Sequence, residues 1–536
     1  MMSPLETLRS FGTHDGTLAR LLASRADTAP SRPFLLFEGA TLSWGDFEYE
    51  VERTAAVLAS LGVGGGDRVA TFAGNRPGIL VLLFAAARLG AILVPVNPEF
   101  TAEEARYVFE HAAPRVIAAS GHGLAVAREA SWRLEPKPAF VLLEADDGDD
   151  APSLVRLAHV AAPFDYTHAE ADDVCVILYT SGTTGFPKGV MHSQRSLVLA
   201  GEAFVERMQL SPEDRLLCVL PLFHINALFY SVMSAVAAGA SLVLAPRFSA
   251  SRFWALAAET GATEANIIAA VGNILARRAR SEFVPHSIRK VYGAPISAEI
   301  ERVFRVEFGV PVVLEGYGMT EIPGVCTNPF PGAGLGENRV GSMGKPARHP
   351  DPSLVFAEMR VLDESGRDVA LGNTGELAVR TPAVMTGYYR DSEATAAAFL
   401  DGWFLTGDLV RQDPEGYFWF VTRKKDIIRR RGENVSGAEL DGIVAAHPAV
   451  AEAAAIGVPS PLGEEDILVA VVLKPHAQAD AKSIAEWCRS RLAAHKVPRY
   501  VVFVDALPHT PTHRVAKFTL KGDPSLVGRA VDLSPT

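Results

Sequence analysis

Short apolar strands that alternate with helices are the feature that most restricts the fold of the N-terminal part. Between residues 17 and 120, residues 46–61 have helical spacing, and residues 78–89 read as a buried helix. Residues 68–73 and 91–96 are short and strand-like. This alternation predicts parallel sheets covered by helices on both faces, and therefore an α/β fold.

The length of the chain predicts more than one domain. At 536 residues it is too long for one ordinary hydrophobic core. A basic segment, residues 423–432, separates two structured regions late in the chain. Beyond it, residues 436–447 and 484–492 read as helices and residues 468–473 as a strand. We therefore predict a large domain over residues 1–424 and a small α+β domain over residues 425–536.

Composition excludes several classes of protein. The formal net charge of -11 gives no support to general nucleic-acid binding. Residues 227–246 carry no charge, but serines and a glycine interrupt them, so we expect a buried helix and strand rather than a transmembrane segment. The N-terminus lacks the apolar core of a secretion signal. Four widely spaced cysteines suit reduced thiols in a cytoplasmic protein: Cys175, Cys218, Cys326 and Cys488.

A glycine- and hydroxyl-rich loop follows an apolar strand at residues 174–179. Glycines let backbone N–H groups turn toward an anion, hydroxyls add donors, and Lys188 supplies a cation. Pro187 and Gly189 flank this lysine, so the loop is not a Walker A motif. A flexible, functionless loop is the alternative. The predicted phosphate-binding residues are Thr180, Ser181, Gly182, Thr183, Thr184, Gly185 and Lys188.

Residues 180–189 resemble the signature of the adenylate-forming superfamily, which includes acyl-CoA synthetases, luciferases and peptide-synthetase adenylation domains. The resemblance covers most of the chain. It implies a large N-terminal domain of parallel-rich sheets with helices plus a distorted β-barrel. It also implies a small, mobile α+β C-terminal domain.

Two further segments resemble the family's adenine and phosphate sites. By this resemblance Tyr317 stacks on adenine, Thr320 donates to the α-phosphate and Glu321 holds Mg²⁺. A carboxylate beside a triphosphate requires such a cation between them. The residues assigned to the adenine and its surroundings are Gly293, Ala294, Pro295, Glu315, Gly316 and Tyr317.

Asp408 and Arg423 resemble the pair that binds the ribose. An ionised aspartate accepts hydrogen bonds from both ribose hydroxyls because it has acceptors only. A solvated turn aspartate is the alternative.

Residues 221–224 match the family's gate to the acyl pocket, with His224 as the gating or pocket residue. A satisfied core histidine is the alternative. Pocket candidates inferred from chain order are Phe223, His224, Val271 and Ile322. They leave the acid open among short, branched, alicyclic and medium-chain acids.

The basic segment between the domains resembles that of crotonobetaine/carnitine–CoA ligases. By this resemblance Lys425 is the hinge about which the small domain rotates, and Gly432 lies beside the pantetheine tunnel of coenzyme A. A solvated basic turn is the alternative.

The C-terminal motif departs from the family. Arg514 stands where relatives have the lysine that bridges carboxylate and α-phosphate. Arginine is always charged but bulkier, so it is not a simple exchange for lysine. Arg514 is our candidate for this role; alternatives are that Lys517 reaches in, or that adenylation is slow.

Together with these features, the resemblance implies an AMP-forming acid–thiol ligase that uses ATP, Mg²⁺ and coenzyme A. A carboxylate attacks the α-phosphorus, pyrophosphate leaves, and a thiol then displaces AMP from the acyl-adenylate. Three alternatives stay open: an enzyme that loads a carrier protein, an oxidative luciferase, and a nucleotide- or acyl-AMP-binding protein with impaired catalysis. We expect a cytoplasmic monomer or homodimer with small-molecule partners.

Overall fold

The α/β fold predicted from sequence is confirmed. The computed structural model describes residues 2–144, 151–161, 169–180, 187–430, 433–460, 464–509 and 515–533. The predicted helices at residues 46–61 and 78–89 are Trp44–Ser60 and Pro77–Arg88. The first is capped by Ser43, whose hydroxyl accepts from the N–H of Asp46.

The sheet that holds both ends of the predicted phosphate-binding loop, residues 180–189, contains seven strands in the described residues: β3 (Arg68–Phe72), β4 (Ile92–Val96), β5 (Val116–Ala119), β6 (Ala139–Leu142), β7 (Val174–Thr180), β8 (Lys188–Ser193) and β18 (Gly387–Tyr388). Their order is β18-β8-β7-β4-β3-β5-β6. The strands from β7 to β6 in this order are parallel, whereas β8 pairs antiparallel with both β7 and β18.

A second sheet carries the segments predicted to bind adenine and to line the acyl pocket. Within the described ranges it has nine strands: β1 (Pro33–Phe37), β2 (Ala40–Ser43), β9 (Arg215–Cys218), β10 (Ser241–Leu244), β11 (Glu264–Ile268), β12 (Lys290–Ala294), β13 (Val312–Met319), β14 (Ile322–Thr327) and β15 (Lys345–Pro346). Their order is β15-β14-β13-β12-β11-β9-β10-β1-β2. The central strands from β13 to β1 are parallel, as their apolar sequences predict.

Smaller sheets follow along the chain. One has the order β16-β17-β20-β19, with β21 paired to β20; its strands are β16 (Glu358–Leu362), β17 (Thr374–Arg380), β19 (Phe399–Leu400), β20 (Trp403–Gln412) and β21 (Phe418–Arg423). The others are formed by β22 (Ile427–Arg430) with β23 (Glu433–Ser436), and by β24 (Val450–Pro459), β25 (Glu465–Leu473), β26 (Tyr500–Phe503) and β27 (Val531–Asp532) in that order.

The α-helices of the described chain are α1 (Pro4–Arg9), α2 (Leu18–Thr28), α3 (Trp44–Ser60), α4 (Pro77–Arg88), α5 (Ala102–Ala112), α6 (Gly121–Ala130), α7 (Leu154–Val160), α8 (Gln194–Met208), α9 (Met233–Ala238), α10 (Phe253–Thr260), α11 (Ala269–Arg277), α12 (Ala298–Arg302), α13 (Ser392–Ala397), α14 (Gly437–Ala445), α15 (Ala481–Arg489), α16 (Lys517–Lys521) and α17 (Ser525–Arg529). Asn226–Val232 and Val303–Glu307 are π-helical. Single 3₁₀ turns span Arg280–Glu282, Lys424–Asp426 and Ala494–Lys496.

The uncharged stretch at residues 227–246 is a buried helix followed by a buried strand, as predicted. It contains most of the π-helix Asn226–Val232, then α9 and the fully buried β10. Among the described residues, no helix has both the length and the apolar character needed to cross a membrane.

The described residues divide into two compact units. The first is drawn from residues 2–180, 187–359 and 379–404, and the second from residues 360–378 and 405–533. In the second unit, α14 and α15 bury apolar side chains against β24 and β25. The division at residue 425 and the hinge remain predictions.

Candidate active site

The two ends of the predicted phosphate-binding loop lie side by side. Thr180, the last residue of β7, pairs with Lys188, the first residue of β8. The buried strand β7 therefore fixes where the loop begins, as its apolar sequence indicates.

Seven of the predicted site residues lie outside the described residues: Ser181, Gly182, Thr183, Thr184, Gly185, Gly432 and Arg514.

Lys188 is held beside this loop by an aromatic ring and a carboxylate. Its Nζ lies 4.8 Å from the centroid of the Tyr388 ring and 3.9 Å from Oδ2 of Asp391. Tyr388 is in place because β18 pairs with β8, with Tyr388 opposite Val190. The side chain of Lys188 remains 31% exposed, so its ammonium group stays accessible to an anion from solvent.

Thr320 and Glu321 form the two-residue turn of a β-hairpin. Strands β13 and β14 are antiparallel, with Met319 opposite Ile322. The predicted phosphate and metal residues therefore sit together at the tip of the hairpin. Glu321 is buried, and its Oε1 accepts a hydrogen bond of 2.8 Å from the hydroxyl of Tyr388.

Tyr388 connects the two predicted groups, since its ring contacts Lys188 and its hydroxyl donates to Glu321. Burial raises the pKa of this tyrosine, and the Glu321 carboxylate raises it further. The hydroxyl therefore stays protonated and acts as a donor. The sequence analysis missed Tyr388, because it lies 67 residues after Glu321 and carries no motif.

His192, also missed, positions the hairpin turn. Its Nε2 lies 2.6 Å from the carbonyl oxygen of Thr320, and its Nδ1 lies 2.7 Å from Oγ of Ser196. Complete burial lowers the pKa of His192 to about 4, although the bond to Thr320 opposes this. The ring is therefore neutral, with its proton on the nitrogen that donates to Thr320. Alternation along β8 places His192 on the same face as Lys188, which is the signal that points to it.

The residues at the turn fit a shared rather than an enclosed magnesium site. Among the described residues, no cluster of three or more His, Cys, Asp or Glu side chains could hold a metal ion. Mg²⁺ commonly takes one or two carboxylates and completes its shell with phosphate oxygens and water. The single carboxylate of Glu321 is sufficient for this arrangement.

The predicted adenine segment, residues 293–295, lies beside the start of the predicted adenine and phosphate motif, residues 315–321. Gly293 in β12 is paired with Glu315 in β13. A Cβ on Gly316 would lie 2.2 Å from the hydroxyl of Tyr292, so the close packing of these strands requires glycine there. Ala294 ends β12, Pro295 follows it, and Tyr317 is partly exposed on β13.

Glu315 is a buried carboxyl group with a shifted pKa. Burial raises its pKa to about 7, although hydrogen bonds from the backbone N–H groups of Ile296 and Gly341 lower it. In the folded protein this group therefore holds a proton at pH values where the unfolded chain has lost it.

We expect the free energy of unfolding to fall as pH rises from about 4.5 to about 7, because the folded state binds more protons over that range. The contribution of Glu315 is up to about 3 kcal/mol. Glu315→Gln is expected to remove this dependence and to unfold at a higher temperature than the wild type above pH 7. Thermal unfolding measured from pH 5 to 8.5 checks this.

The matched control is Glu299→Gln, at an exposed position on α12, which should leave the pH profile as it is. A wild-type profile that rises or stays flat between pH 5 and 7, and is unaltered in Glu315→Gln, would contradict the assignment.

The predicted gate segment is held in place by Asn75, which is far from it in the sequence. The Oδ1 of Asn75 accepts from the N–H of Leu222 at 2.9 Å, and its Nδ2 donates to the carbonyls of Leu220 and Ala245. Sequence reasoning missed this residue, which acts through backbone groups. Phe223 and His224 follow, with ring centroids 4.4 Å apart, just before the π-helix. Of the other pocket candidates, Val271 and Ile322 are buried.

In the second unit, Asp408 and Arg423 are direct cross-strand neighbours. They oppose each other on β20 and β21, and Nε of Arg423 lies 3.1 Å from Oδ1 of Asp408. Asp408 is 2% exposed. Glu376, missed from sequence, accepts from the N–H of Gly407 and pairs with Lys424 at 2.7 Å. It therefore fixes the backbone just before Asp408.

Lys425 and Lys517 have different surroundings in the second unit. Lys425 lies in the 3₁₀ turn Lys424–Asp426, which leads into β22. The Nζ of Lys517 pairs with Oδ2 of Asp441 at 2.5 Å. Oδ1 of the same carboxylate accepts from the N–H of Ala455 at 2.6 Å. The ammonium group of Lys517 is thus engaged by a half-buried carboxylate of α14.

Comparison with known proteins gives matches along most of the chain. The family profile described as "AMP-binding enzyme" matches residues 22–389, and "AMP-binding enzyme C-terminal domain" matches residues 439–514. Sulfoacetate–CoA ligase of Cupriavidus necator is 33% identical over 94% of this chain and 97% of its own length. Indoleacetate–CoA ligase of Aromatoleum aromaticum is 32% identical over 93% of this chain and 96% of its own.

Solved structures match the fold as well. The crystal structure of ATP-bound MatB from Rhodopseudomonas palustris superposes with a TM-score of 0.82 and 28% identity, covering 97% of this chain and 99% of that one. The large α/β part and the smaller C-terminal part thus occur together in a related ATP-binding protein.

Proposed function

Since the chain belongs to the family of AMP-binding enzymes, the adenylate-forming enzymes, we propose roles for its own residues in that chemistry. The chain is an ATP-dependent carboxylate–CoA ligase: it forms an acyl-adenylate and then an acyl-CoA thioester, with release of pyrophosphate and AMP. The observation that carries the residue roles is the chain of contacts from Lys188 through Tyr388 to Glu321.

In the first half-reaction, Lys188 and the N–H and hydroxyl groups of residues 180–185 hold the β- and γ-phosphates. Thr320 donates to the α-phosphate, and the neutral His192 keeps the turn that carries Thr320 in place. Glu321 would hold Mg²⁺, which when bound neutralises charge on the phosphate oxygens. Fixed donors beside the α-phosphorus lower the barrier because charge grows on those oxygens in the transition state.

Arg514 is assigned the role of bridging the acid carboxylate and the α-phosphate. The ion pair between Lys517 and Asp441 supports this choice, because moving that ammonium group would leave the carboxylate of Asp441 without its cation. For the second half-reaction we assign Lys425 to the hinge and Gly432 to the pantetheine tunnel. These roles rest on the resemblance of the segment.

The identity of the acid is not set by family membership, since relatives act on acids as different as sulfoacetate and indoleacetate. His224 and Phe223 are assigned to the entrance of the acyl pocket. We further propose that the reaction takes place in the cytoplasm, where the four buried free cysteines would stay reduced.

A panel of carboxylic acids tests the function. AMP and pyrophosphate should form together in the presence of acid, ATP and Mg²⁺, and acyl-CoA should appear only when CoA is added. Release of AMP that is independent of CoA, or transfer to a carrier protein in preference to CoA, would contradict the acceptor. ATP binding without turnover of any acid would favour a binding protein instead.

Asp408→Asn tests the ribose assignment. Asparagine keeps the shape of the side chain but removes its negative charge. That charge faces Arg423 and would accept from the two hydroxyls of the ribose. We expect the KM for ATP to rise on the order of tenfold to a hundredfold, the loss expected for charge-assisted hydrogen bonds. Initial rates at varied ATP check this.

The control for this variant is Asp368→Asn, an exposed aspartate in the same unit that pairs with Arg360. Its KM for ATP should match that of the wild type. An Asp408→Asn enzyme that binds ATP normally but unfolds at a lower temperature would show that the aspartate only braces the hairpin.

A further inference from the structure

Arg207, in the last turn of α8, is a buried cation. It is 5% exposed, and its Nη2 donates to the carbonyl oxygen of Gly324. Its Nε and Nη1 are buried, and among the described residues neither makes a well-formed hydrogen bond, although the guanidinium interacts with the hydroxyl of Tyr292. The same part of the chain offers it no carboxylate within ion-pair distance. Such a group is costly unless an anion or acceptors satisfy it.

The other buried arginines among the described residues find more partners within the protein, although the Nε atoms of Arg88 and Arg430 also lack a hydrogen bond. Arg25 donates to Ser24 and to the carbonyls of Val236 and Ala237. Arg88 pairs with Glu48, and Arg430 pairs with Asp466. Arg207 differs from all three because two of its nitrogens lack a hydrogen bond and its anion is not found among the described residues.

The neighbours of Arg207 come from three segments that carry the candidate site. Its guanidinium lies 5.8 Å from the ring centroid of Tyr230, in the π-helix that follows His224. It lies 5.3 Å from the ring of Tyr292, directly before Gly293. Gly324 is three residues beyond Glu321 on β14. Thus the gate, adenine and phosphate segments all converge on this one cation.

Gly324 makes room for the guanidinium. A Cβ there would lie 2.6 Å from Nη1 and 2.8 Å from Nη2 of Arg207, and its φ of +57° also favours glycine. The aromatic rings attract the cation, but they supply no neutralising charge. The three residues from Glu321 to Gly324 separate the proposed α-phosphate turn from the guanidinium, a span of at most roughly 10 Å along the chain. A short diacid that makes a hydrogen bond at each end covers a similar length.

We propose that Arg207 binds a second acidic group of the acid substrate, so that the enzyme activates short dianionic acids in preference to monocarboxylates. The inference deepens the proposed function and rests on it. The reacting carboxylate lies at the Thr320–Glu321 turn, and the second carboxylate or sulfonate occupies the donors on Nε and Nη1. A monocarboxylate of the same shape, with a neutral group in place of the second acidic group, leaves those donors unsatisfied, and this discriminates against it strongly.

Pairs of acids with the same shape test the proposal. In each pair an isopropyl group replaces the second carboxylate: malonate against 3-methylbutanoate, succinate against 4-methylpentanoate, and glutarate against 5-methylhexanoate. For at least one pair, kcat/KM for acyl-CoA formation should favour the diacid by on the order of a hundredfold. The preference should hold in the ATP–pyrophosphate exchange reaction, which reports adenylation alone.

Arg207→Met then separates recognition from structure. It should lower kcat/KM for the preferred diacid by on the order of a hundredfold and reverse the preference within the pair. Arg207→Lys keeps a cation and should recover part of the diacid activity. Arg252→Met, at an exposed arginine paired with Glu259, is the matched control and should keep the wild-type preference.

Two outcomes overturn the proposal while leaving the ligase function intact: a wild-type preference for the branched monoacid in every pair, or an equal loss for both acids in Arg207→Met. Failure of every acid to yield AMP and acyl-CoA overturns the ligase function, and this inference with it. Should Arg207→Met not fold, the preference of the wild type within the pairs decides.

Discussion

Replacing Arg514 with alanine is expected to slow acyl-adenylate formation by about a hundredfold to a thousandfold, the range found when one preorganised donor to a transition-state anion is removed. Arginine stands here in place of the lysine typical of the family. In the role proposed for it, its fixed charge would offset the repulsion between the carboxylate and the α-phosphate as they approach. Thioester formation from preformed acyl-AMP should fall much less, because that step follows loss of pyrophosphate.

The two half-reactions are measured separately by ATP–pyrophosphate exchange and by CoA acylation from synthetic acyl-AMP. Arg529→Ala is the control: this arginine lies on α17 in the same unit, 55% exposed and paired with Asp523. It should behave as the wild type in both assays.

If Arg514 has this role, the Lys517→Ala variant is expected to behave differently from Arg514→Ala. Removing Lys517 leaves the half-buried carboxylate of Asp441 without its cation, so the variant should unfold at a lower temperature. An Arg514→Ala enzyme with unaltered exchange, together with a Lys517→Ala enzyme that has lost it, would transfer the role to Lys517.

Local sequence signals predicted those parts of the candidate site that lie in continuous segments. The apolar run of β7 located the start of the phosphate loop. The motif ending in Thr320 and Glu321 became one hairpin turn. Asp408 and Arg423, fifteen residues apart, became cross-strand neighbours because a hairpin joins them. In each case the relevant contact is local or follows from strand pairing.

The groups that the sequence analysis missed act across long separations. Tyr388 reaches Glu321 over 67 residues, His192 reaches Thr320 over 128, and Asn75 reaches Leu222 over 147. No periodicity or spacing rule connects such pairs, since tertiary packing alone brings them together. They also act through backbone groups or through other side chains, so none forms a motif of its own.

The charge state of buried groups could not be predicted from the sequence either. Arg207 looks like an ordinary basic residue in the last turn of an amphipathic helix. Only the packing of Tyr230, Tyr292 and Gly324 around it shows that it is buried, with no carboxylate of the described residues in ion-pair distance. Likewise, the sequence does not show that Glu315 is buried enough to hold its proton near neutral pH.

Glu321→Gln is expected to lower the rate of adenylation by about a hundredfold to a thousandfold and to raise the Mg²⁺ concentration needed for half-maximal activity. Glutamine keeps the size of the side chain and can still accept from the hydroxyl of Tyr388. What it loses is the negative charge at the hairpin turn. Rates of ATP–pyrophosphate exchange over a Mg²⁺ titration measure both effects.

Tyr388→Phe is the matched variant, because it removes only the hydroxyl that donates to Glu321 and keeps the ring beside Lys188. Its adenylation rate should fall about tenfold, the value of one hydrogen bond to a charged group. Adding it to Glu321→Gln should cost less than the product of the two single effects, because both changes act on one carboxylate. A Glu321→Gln enzyme with an unchanged Mg²⁺ requirement, or fully multiplicative effects in the double variant, would remove Glu321 from the metal site and leave it as a brace for β18.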